Sequence, residues 1–373
     1  MRAAVKLVFA LALAALVLAA GSPTHARAAR GRESAVQDDH SFVSETTLKR
    51  KTALKLASRL HATRIRVNLR WDKIVNKGQS RKQPKHRKYR FAVYDALYLA
   101  ARKRGIKLQL TIGGPAPRWA TDGARGGNRK IKLDDFKHYV RAVVNHFRRT
   151  KVDRYSIWNE PNFRTWNAPL EGNAKRYRKM YSAAWKIIRD RDKGARVFIG
   201  ETSPYGKKGD STSPIKFLRN VVKGGMLRAD AYAHHPYDYK HGPRWPKTPD
   251  DNAAINNLGN LTKALDKLAK QRKLVTRRGK PLDVYLTEFG YMASGPYKKP
   301  ASQRAKFLPE AFQIALRNPR VKQMLQYNLA PPRFGDFDTS IVTRKGKPTK
   351  VFKALEKWTE KQANERMIKL PPR

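Results

Sequence analysis

Short apolar runs alternate along this chain with longer stretches in which apolar residues recur every three or four positions. The runs are "ESAVQDD" (33–39, the weakest), "RIRVNLRW" (64–71), "IKLQLTIGG" (106–114), "VDRYSIWNE" (152–160), "ARVFIGE" (195–201), "ADAYAHH" (229–235), "LDVYLTEFG" (282–290) and "VKQMLQYNL" (321–329). Their length and their β-branched and aromatic content predict strands. The stretches between them predict amphipathic helices, among them 44–60, 91–104, 133–149, 174–191 and 260–273, with a last one over 348–362. Eight strand–helix pairs follow one another without a Pro/Gly/Ser linker long enough to divide the chain into domains. That count predicts an α/β fold, a single (β/α)8 TIM barrel, rather than an open doubly wound sheet; such sheets have fewer strands and a Gly-rich phosphate turn, and no G-x-G-x-x-G occurs here. The barrel is expected over 36–362, behind a polar lead-in at 29–35 and ahead of a tail at 363–373.

The first residues change the picture. Arg2 and Lys6 precede the apolar run "LVFALALAALVLAA" (7–20), and small residues surround Ala26 and Ala28. The run is shorter than the roughly 17–25 residues needed to span a bilayer. It reads as a signal peptide over 1–28, so the expectation is a secreted or envelope-associated protein with no transmembrane segment in the mature chain. Cysteine is absent, which excludes disulfides, a thiolate nucleophile and Cys-based metal sites.

Charge is the outstanding feature of the composition. There are 81 Lys and Arg against 29 Asp and Glu, for a net charge of +52. Such a field draws polyanions, including anionic polymers of a cell envelope. Basic clusters lie in loops expected at the strand C-terminal ends, at 81–90, 206–208 and 297–299. They lie equally at the opposite end, at 147–151, 189–196 and 270–280. A field spread over both ends fits a general surface property better than a substrate-shaped one. No nucleic-acid module is visible, so specific nucleic-acid binding is not expected.

In a TIM barrel the chemistry sits at the C-terminal ends of the strands. Glu160 ends the fourth run and Glu288, in "LTEFGY", ends the seventh. His235 and Tyr237 lie at the end of the sixth, Arg66 lies along the second, and Glu201 ends the fifth. Two opposed carboxylates suit glycoside hydrolysis, one attacking the anomeric carbon and the other protonating the leaving oxygen. The charge on one raises the proton affinity of the other, so the pair divides into base and acid.

"WNEP" at the fourth strand, "HPY" at the sixth and "TEFG" at the seventh together resemble the clan A retaining glycoside hydrolases, families 5 and 39 in particular. The resemblance implies Glu160 as acid/base, Asn159 as donor to a sugar 2-hydroxyl and Glu288 as nucleophile. It also implies Tyr237 as a hydrogen-bond donor to that nucleophile, His235 as a lining of the −1 subsite, and Arg66 as the cation that keeps the nucleophile ionised. No cofactor and no metal are expected. Many members carry a tryptophan platform near the end of the eighth strand. Here that segment reads "LQYNLAPP", leaving the place to Tyr327 or a loop aromatic.

Other readings of these residues stand beside this one. His235, with His234 and His241 nearby, suggests a metal site, but neither H-x-x-x-H spacing nor a convincing carboxylate partner supports it in the sequence. Glu201 is open between a pocket contact and a partner for surplus arginines. Trp119, Trp166 and Trp245 are open between sugar platforms and loop anchors. The expected function is hydrolysis of a polysaccharide or oligosaccharide; the alternative is a non-catalytic carbohydrate- or envelope-binding barrel. The net charge predicts an acidic pH optimum that rises with added salt.

Overall fold

In the strand 64–71 arginine and asparagine alternate with Ile, Val and Leu, so one face of the strand is polar and the other apolar. The computed structural model, which describes residues 30–75, 89–123, 127–150, 152–245, 249–333 and 337–372, shows where each face goes. The strands are β1 (Glu33–Gln37), β2 (Arg64–Arg70), β3 (Lys107–Gly113), β4 (Arg154–Ile157), β5 (Arg196–Thr202), β6 (Ala231–His234), β7 (Val284–Leu286) and β8 (Val321–Tyr327). All pair in parallel with their sequence neighbours, and β1 closes on β8 with Glu33 opposite Gln323 and Gln37 opposite Tyr327. The result is a closed eight-stranded barrel.

Around it lie α1 (Arg50–Arg59), α2 (Ala92–Arg102), α3 (Leu133–Phe147), α4 (Asn173–Arg191), α5 (Pro214–Val221), α6 (Leu258–Lys270), α7 (Ala301–Arg317) and α8 (Lys350–Asn364). Helix α3 shows why they pack: Phe136, Tyr139, Val140, Val143, Val144 and Phe147 form one buried stripe, with Asp134 and Asp135 favourably placed in the first turn. Helix α5 begins with Pro214, whose fixed φ suits a first turn. Helix α1 starts later than its sequence pattern suggests. Glu45 adopts a left-handed φ of 51°, and its carboxylate accepts from Arg50 N at 3.0 Å, capping a helix that starts at Arg50.

The apolar faces of the strands, such as Ile65, Val67 and Leu69 of β2, pack outward into the core shared with the helices. The polar faces line the barrel interior, around a small apolar cluster of Phe198, Ala231, Ala233 and Tyr285. At the end near the strand N-termini, Arg154 holds Glu33 through two hydrogen bonds of 2.7 and 3.1 Å, with Arg64 3.5 Å from the same carboxylate. Burial raises Glu33, but the two guanidinium groups outweigh it and bring it down to about 2. Arg154 also lies 5.0 and 4.7 Å from the rings of Phe198 and Tyr285.

Residues 367–369, inside the stretch expected as a tail, run beside Arg32. Arg32 N donates to Met367 O at 3.0 Å, Lys369 N donates to Arg32 O at 2.7 Å, and Ile368 is buried. The lead-in expected over 29–35 is likewise strand from Glu33 onward, because β1 needs those residues to pair with β8. The expected signal peptide lies outside the described residues. Among those described, no helix is long and apolar enough to cross a membrane.

Candidate active site

The chain leaves β4 and β5 in conformations that few side chains adopt. Trp158 and Glu160 have φ of 66° and 37°, and Glu160 N donates to Glu201 O at 2.8 Å. The Trp158 indole is tied to Trp166 O at 2.7 Å. On β5 the register against β6 shifts between Gly200 and Thr202. Gly200 has φ of 112°, and a Cβ there would lie 2.5 Å from Ala233 O, so only glycine fits. Glu201 follows with φ of 50°. This bulge re-aims Glu201 into the barrel. Left-handed non-glycine residues cost about 1–3 kcal/mol each and gather where function holds them.

Their side chains converge on His235, which is fully buried. Its Nδ1 lies 3.0 Å from Glu160 Oε1 and 3.6 Å from Glu288 Oε2, and its Nε2 lies 2.8 Å from Glu201 Oε2. Arg66 supports two of these carboxylates, those of Glu288 and Glu201, from β2. Its Nη1 donates to Glu288 Oε1 at 2.6 Å and to Gln37; its Nη2 donates to Asn159 Oδ1 at 3.0 Å and lies 3.1 Å from Glu201 Oε2. Tyr237 OH donates to Glu288 Oε2 at 3.3 Å, and Thr287 Oγ1 donates to Glu201 Oε2 at 2.6 Å. One ligand atom each from Glu160, His235 and Glu288 lie within 4.8 Å of one another.

The electrostatics follow from this packing. Burial alone would strip the proton from His235; the carboxylates of Glu288, Glu160 and Glu201 overcome that and raise it to about 9. Burial would raise Glu201, but Arg66 and His235 outweigh it and hold Glu201 at about 2. Glu288 moves upward through burial; Glu160 adds to the rise, and His235 and Arg66 oppose it. Burial and the Glu288 charge push Tyr237 well above the ordinary tyrosine value, so it stays a neutral donor.

The Glu160–His235–Glu288 cluster has the residue types of a metal site.

All six residues singled out from the sequence for this site, Arg66, Asn159, Glu160, His235, Tyr237 and Glu288, meet here. Glu201, left open in the sequence, has no exposed surface and pairs with both cations, which makes it a support for them. Gln37 and Thr287 had no sequence signal, since their roles depend on how strands distant in the chain come together. The three tryptophans do not share one place, and Trp245 stands on His241, a residue of the cleft that Glu160 opens on. Trp119 packs edge-on against Trp71 at 6.0 Å, Trp166 anchors Trp158, and Trp245 stacks on His241 at 4.2 Å. Beside Glu288, Tyr237 stacks on Tyr239, and Phe337 meets both edge-on at 5.1 and 6.0 Å. Phe337 follows β8 and is 38% exposed, whereas Tyr327 lies beneath it at 5.7 Å. Glu160 opens on a cleft of about 610 Å³ lined by Phe163, Tyr205, Tyr239, Lys240 and Tyr297 among others.

A family model described as cellulase (glycosyl hydrolase family 5) matches residues 20–316. The chain belongs to glycosyl hydrolase family 5. The matched span of this family 5 chain contains both glutamates and the strands that carry them, and stops short of β8. No curated protein matches the sequence. Among solved structures the chain is similar to a family 39 glycoside hydrolase from the gut symbiont Bacteroides cellulosilyticus WH2, with 18% identity and a TM-score of 0.61, over 88% of this chain and 64% of that one. The chain thus spans less than two thirds of that protein's length. It is also similar to a glucosidase from Croceicoccus marinus (14% identity, TM-score 0.66, 90% of this chain and 68% of that one). A third is Thermotoga maritima Cel5A in complex with cellobiose (13% identity, TM-score 0.56, 87% and 96%). At these identities the likeness is one of fold. The family assignment rests on the family model, and the solved structures share the (β/α)8 barrel.

Proposed function

We propose that this protein is an exported retaining glycoside hydrolase that cleaves O-glycosidic bonds of a polysaccharide or oligosaccharide by double displacement. The observation that carries this reading is the approach of Glu160 and Glu288 carboxylate oxygens to within 4.8 Å. That closeness suits the roughly 5–5.5 Å carboxyl separation of retaining enzymes better than the roughly 6.5–9.5 Å of inverting ones. Export rests on the N-terminal sequence.

In the first step Glu288 attacks the anomeric carbon while Glu160 gives its proton to the departing oxygen. In the second, Glu160 takes a proton from water, which attacks the same carbon and releases Glu288. Arg66 and Tyr237 both donate to Glu288 and orient it. Asn159, with its oxygen held by Arg66, keeps its NH2 for a sugar hydroxyl. Three carboxylates, of Glu160, Glu201 and Glu288, face two cations, His235 and Arg66.

The test is product release from a panel of neutral and uronic-acid polysaccharides, with Glu288→Gln as control and NMR of the first-formed product. Retained anomeric configuration, lost in the variant, is expected. Inverted product or turnover that survives in the variant overturns the mechanism.

The pH dependence expected from net charge alone changes once burial is known. Glu288 must be ionised to attack, and burial is the largest influence on it, in the upward direction. The acid limb of kcat/KM is therefore expected above the ordinary glutamate range. It should stay nearly in place between 0.1 and 1 M NaCl, although the Debye length falls from about 10 to about 3 Å, because salt screens surface charge and not desolvation. A limb that moves with salt would assign control to the surface field.

A further inference from the structure

A larger cavity, about 1300 Å³, lies outside the catalytic cleft, between α4 and α5. It exceeds the roughly 300–1,000 Å³ of a small-molecule pocket. Six exposed lysines line it: Lys175, Lys179, Lys207, Lys208, Lys216 and Lys223. Arg178 joins them from the floor, fixed by three backbone carbonyls, those of Val221, Gly224 and Gly225. No acidic residue lines this groove, whereas the cleft beside it contains Glu160, Asp210 and Asp238. Among the described residues none of the six lysines has an ion pair; lysines that pair, such as Lys137 with Asp134 and Lys361 with Glu365, lie elsewhere. The groove and the cleft share Gly206, Lys207 and Ser211, so one runs into the other.

We propose that this groove is a binding subsite for an anionic glycan, a chain bearing carboxylates or sulfates at repeating positions, which continues from the catalytic cleft between α4 and α5. The inference rests on the glycoside hydrolase reading and names its substrate class. Unpaired ammonium groups along a groove can each meet a passing anion, and Ser182 and Ser213 add hydroxyls to its wall. A single-stranded nucleic acid is a poorer occupant. No aromatic side chain lines the groove, so bases would find no stacking surface.

The groove must be separated from the general charge of the chain. The full chain carrying Glu288→Gln binds without cleaving, and in that background two triple variants remove equal charge. One is Lys179→Gln, Lys216→Gln, Lys223→Gln in the groove; the other is Lys263→Gln, Lys267→Gln, Lys270→Gln on exposed α6. The ligands are a polyuronate, a sulfated glycan, a neutral glucan and single-stranded DNA. Binding of a polyuronate or the sulfated glycan is expected to weaken about tenfold or more in the groove variant and less than about twofold in the α6 variant. With an active Glu288, the groove variant is expected to raise KM for that glycan and leave kcat/KM on a short neutral aryl glycoside unchanged.

Equal loss in both triples would overturn the proposal in favour of a diffuse field. Absence of binding to either anionic glycan, or preference for DNA, would overturn it as well. Absence of hydrolysis with glycan binding still lost only in the groove variant would instead overturn the enzymatic reading and leave the binding site standing.

Discussion

Glu160→Ala and Glu288→Gln are both expected to silence the enzyme on a natural polysaccharide, but only Glu160→Ala should still react with an aryl glycoside whose phenol leaves without a proton. On the polysaccharide, loss of the acid should cost about 10²–10⁴-fold in kcat/KM. Loss of the nucleophile should cost more than about 10⁴-fold on every substrate, because no covalent intermediate can form. On the activated substrate Glu160→Ala should release a burst of phenol and then turn over slowly, since the intermediate now lacks the base that activates water. Added azide should speed that slow phase, because an anion needs no base. If the two variants lose activity equally on both substrates, the roles assigned to the two residues are wrong.

Glu201→Gln should have the largest effect on stability. Glu201 has no exposed surface and lies 2.8 Å from His235 Nε2 and 3.1 Å from Arg66 Nη2. Neutralising it leaves two buried cations short of a counter-ion, and breaking such a pair costs about 3–5 kcal/mol. The pH dependence gives a second readout. His235 is raised from 6.5 to about 9, so its contribution is complete below pH 6.5 and is lost as pH rises through about 9. Glu201 is lowered from 4.5 to about 2, so its contribution is complete above pH 4.5 and is lost as pH falls through about 2.

Denaturant unfolding of the wild type should therefore be most favourable to the folded state near pH 4.5–6.5 as far as this pair is concerned. His235→Gln should remove the alkaline decline that this residue causes. A double-mutant cycle of Glu201→Gln with His235→Gln, both single variants and the double being unfolded side by side, measures the coupling of the pair. Glu201→Gln unfolding within about 1 kcal/mol of wild type would show that the pair is not a support.

The barrel was legible because it follows from local pattern. Strand and helix periods are set by backbone geometry, so "RIRVNLRW" and "LDDFKHYVRAVVNHF" announce their elements wherever they occur. The boundaries were less legible. Helix α1 waits for the Glu45 cap, and β7 keeps only Val284–Leu286 of a nine-residue apolar run, because strand extent depends on what the neighbouring strands leave to pair with. The platform aromatic was left to Tyr327 or a loop aromatic; beside the site the loop ring Phe337 is 38% exposed and meets Tyr327 at 5.7 Å.

The choice of Glu160 and Glu288 as the proposed reacting pair belongs to the sequence: they sit at the ends of their strands, and parallel strands closed into a barrel bring such ends to one rim whatever the details of packing. The state of that pair belongs to the tertiary structure. The sequence supplies +52 of net charge and suggests that the surface field rules the carboxylates. Folding adds what the sequence does not show, the burial of Glu201, His235 and Arg66 together at contacts of about 3 Å, where charges are screened far less than at the surface. Charge–charge energies depend on separation and burial, and neither quantity exists until strands far apart in the chain are side by side.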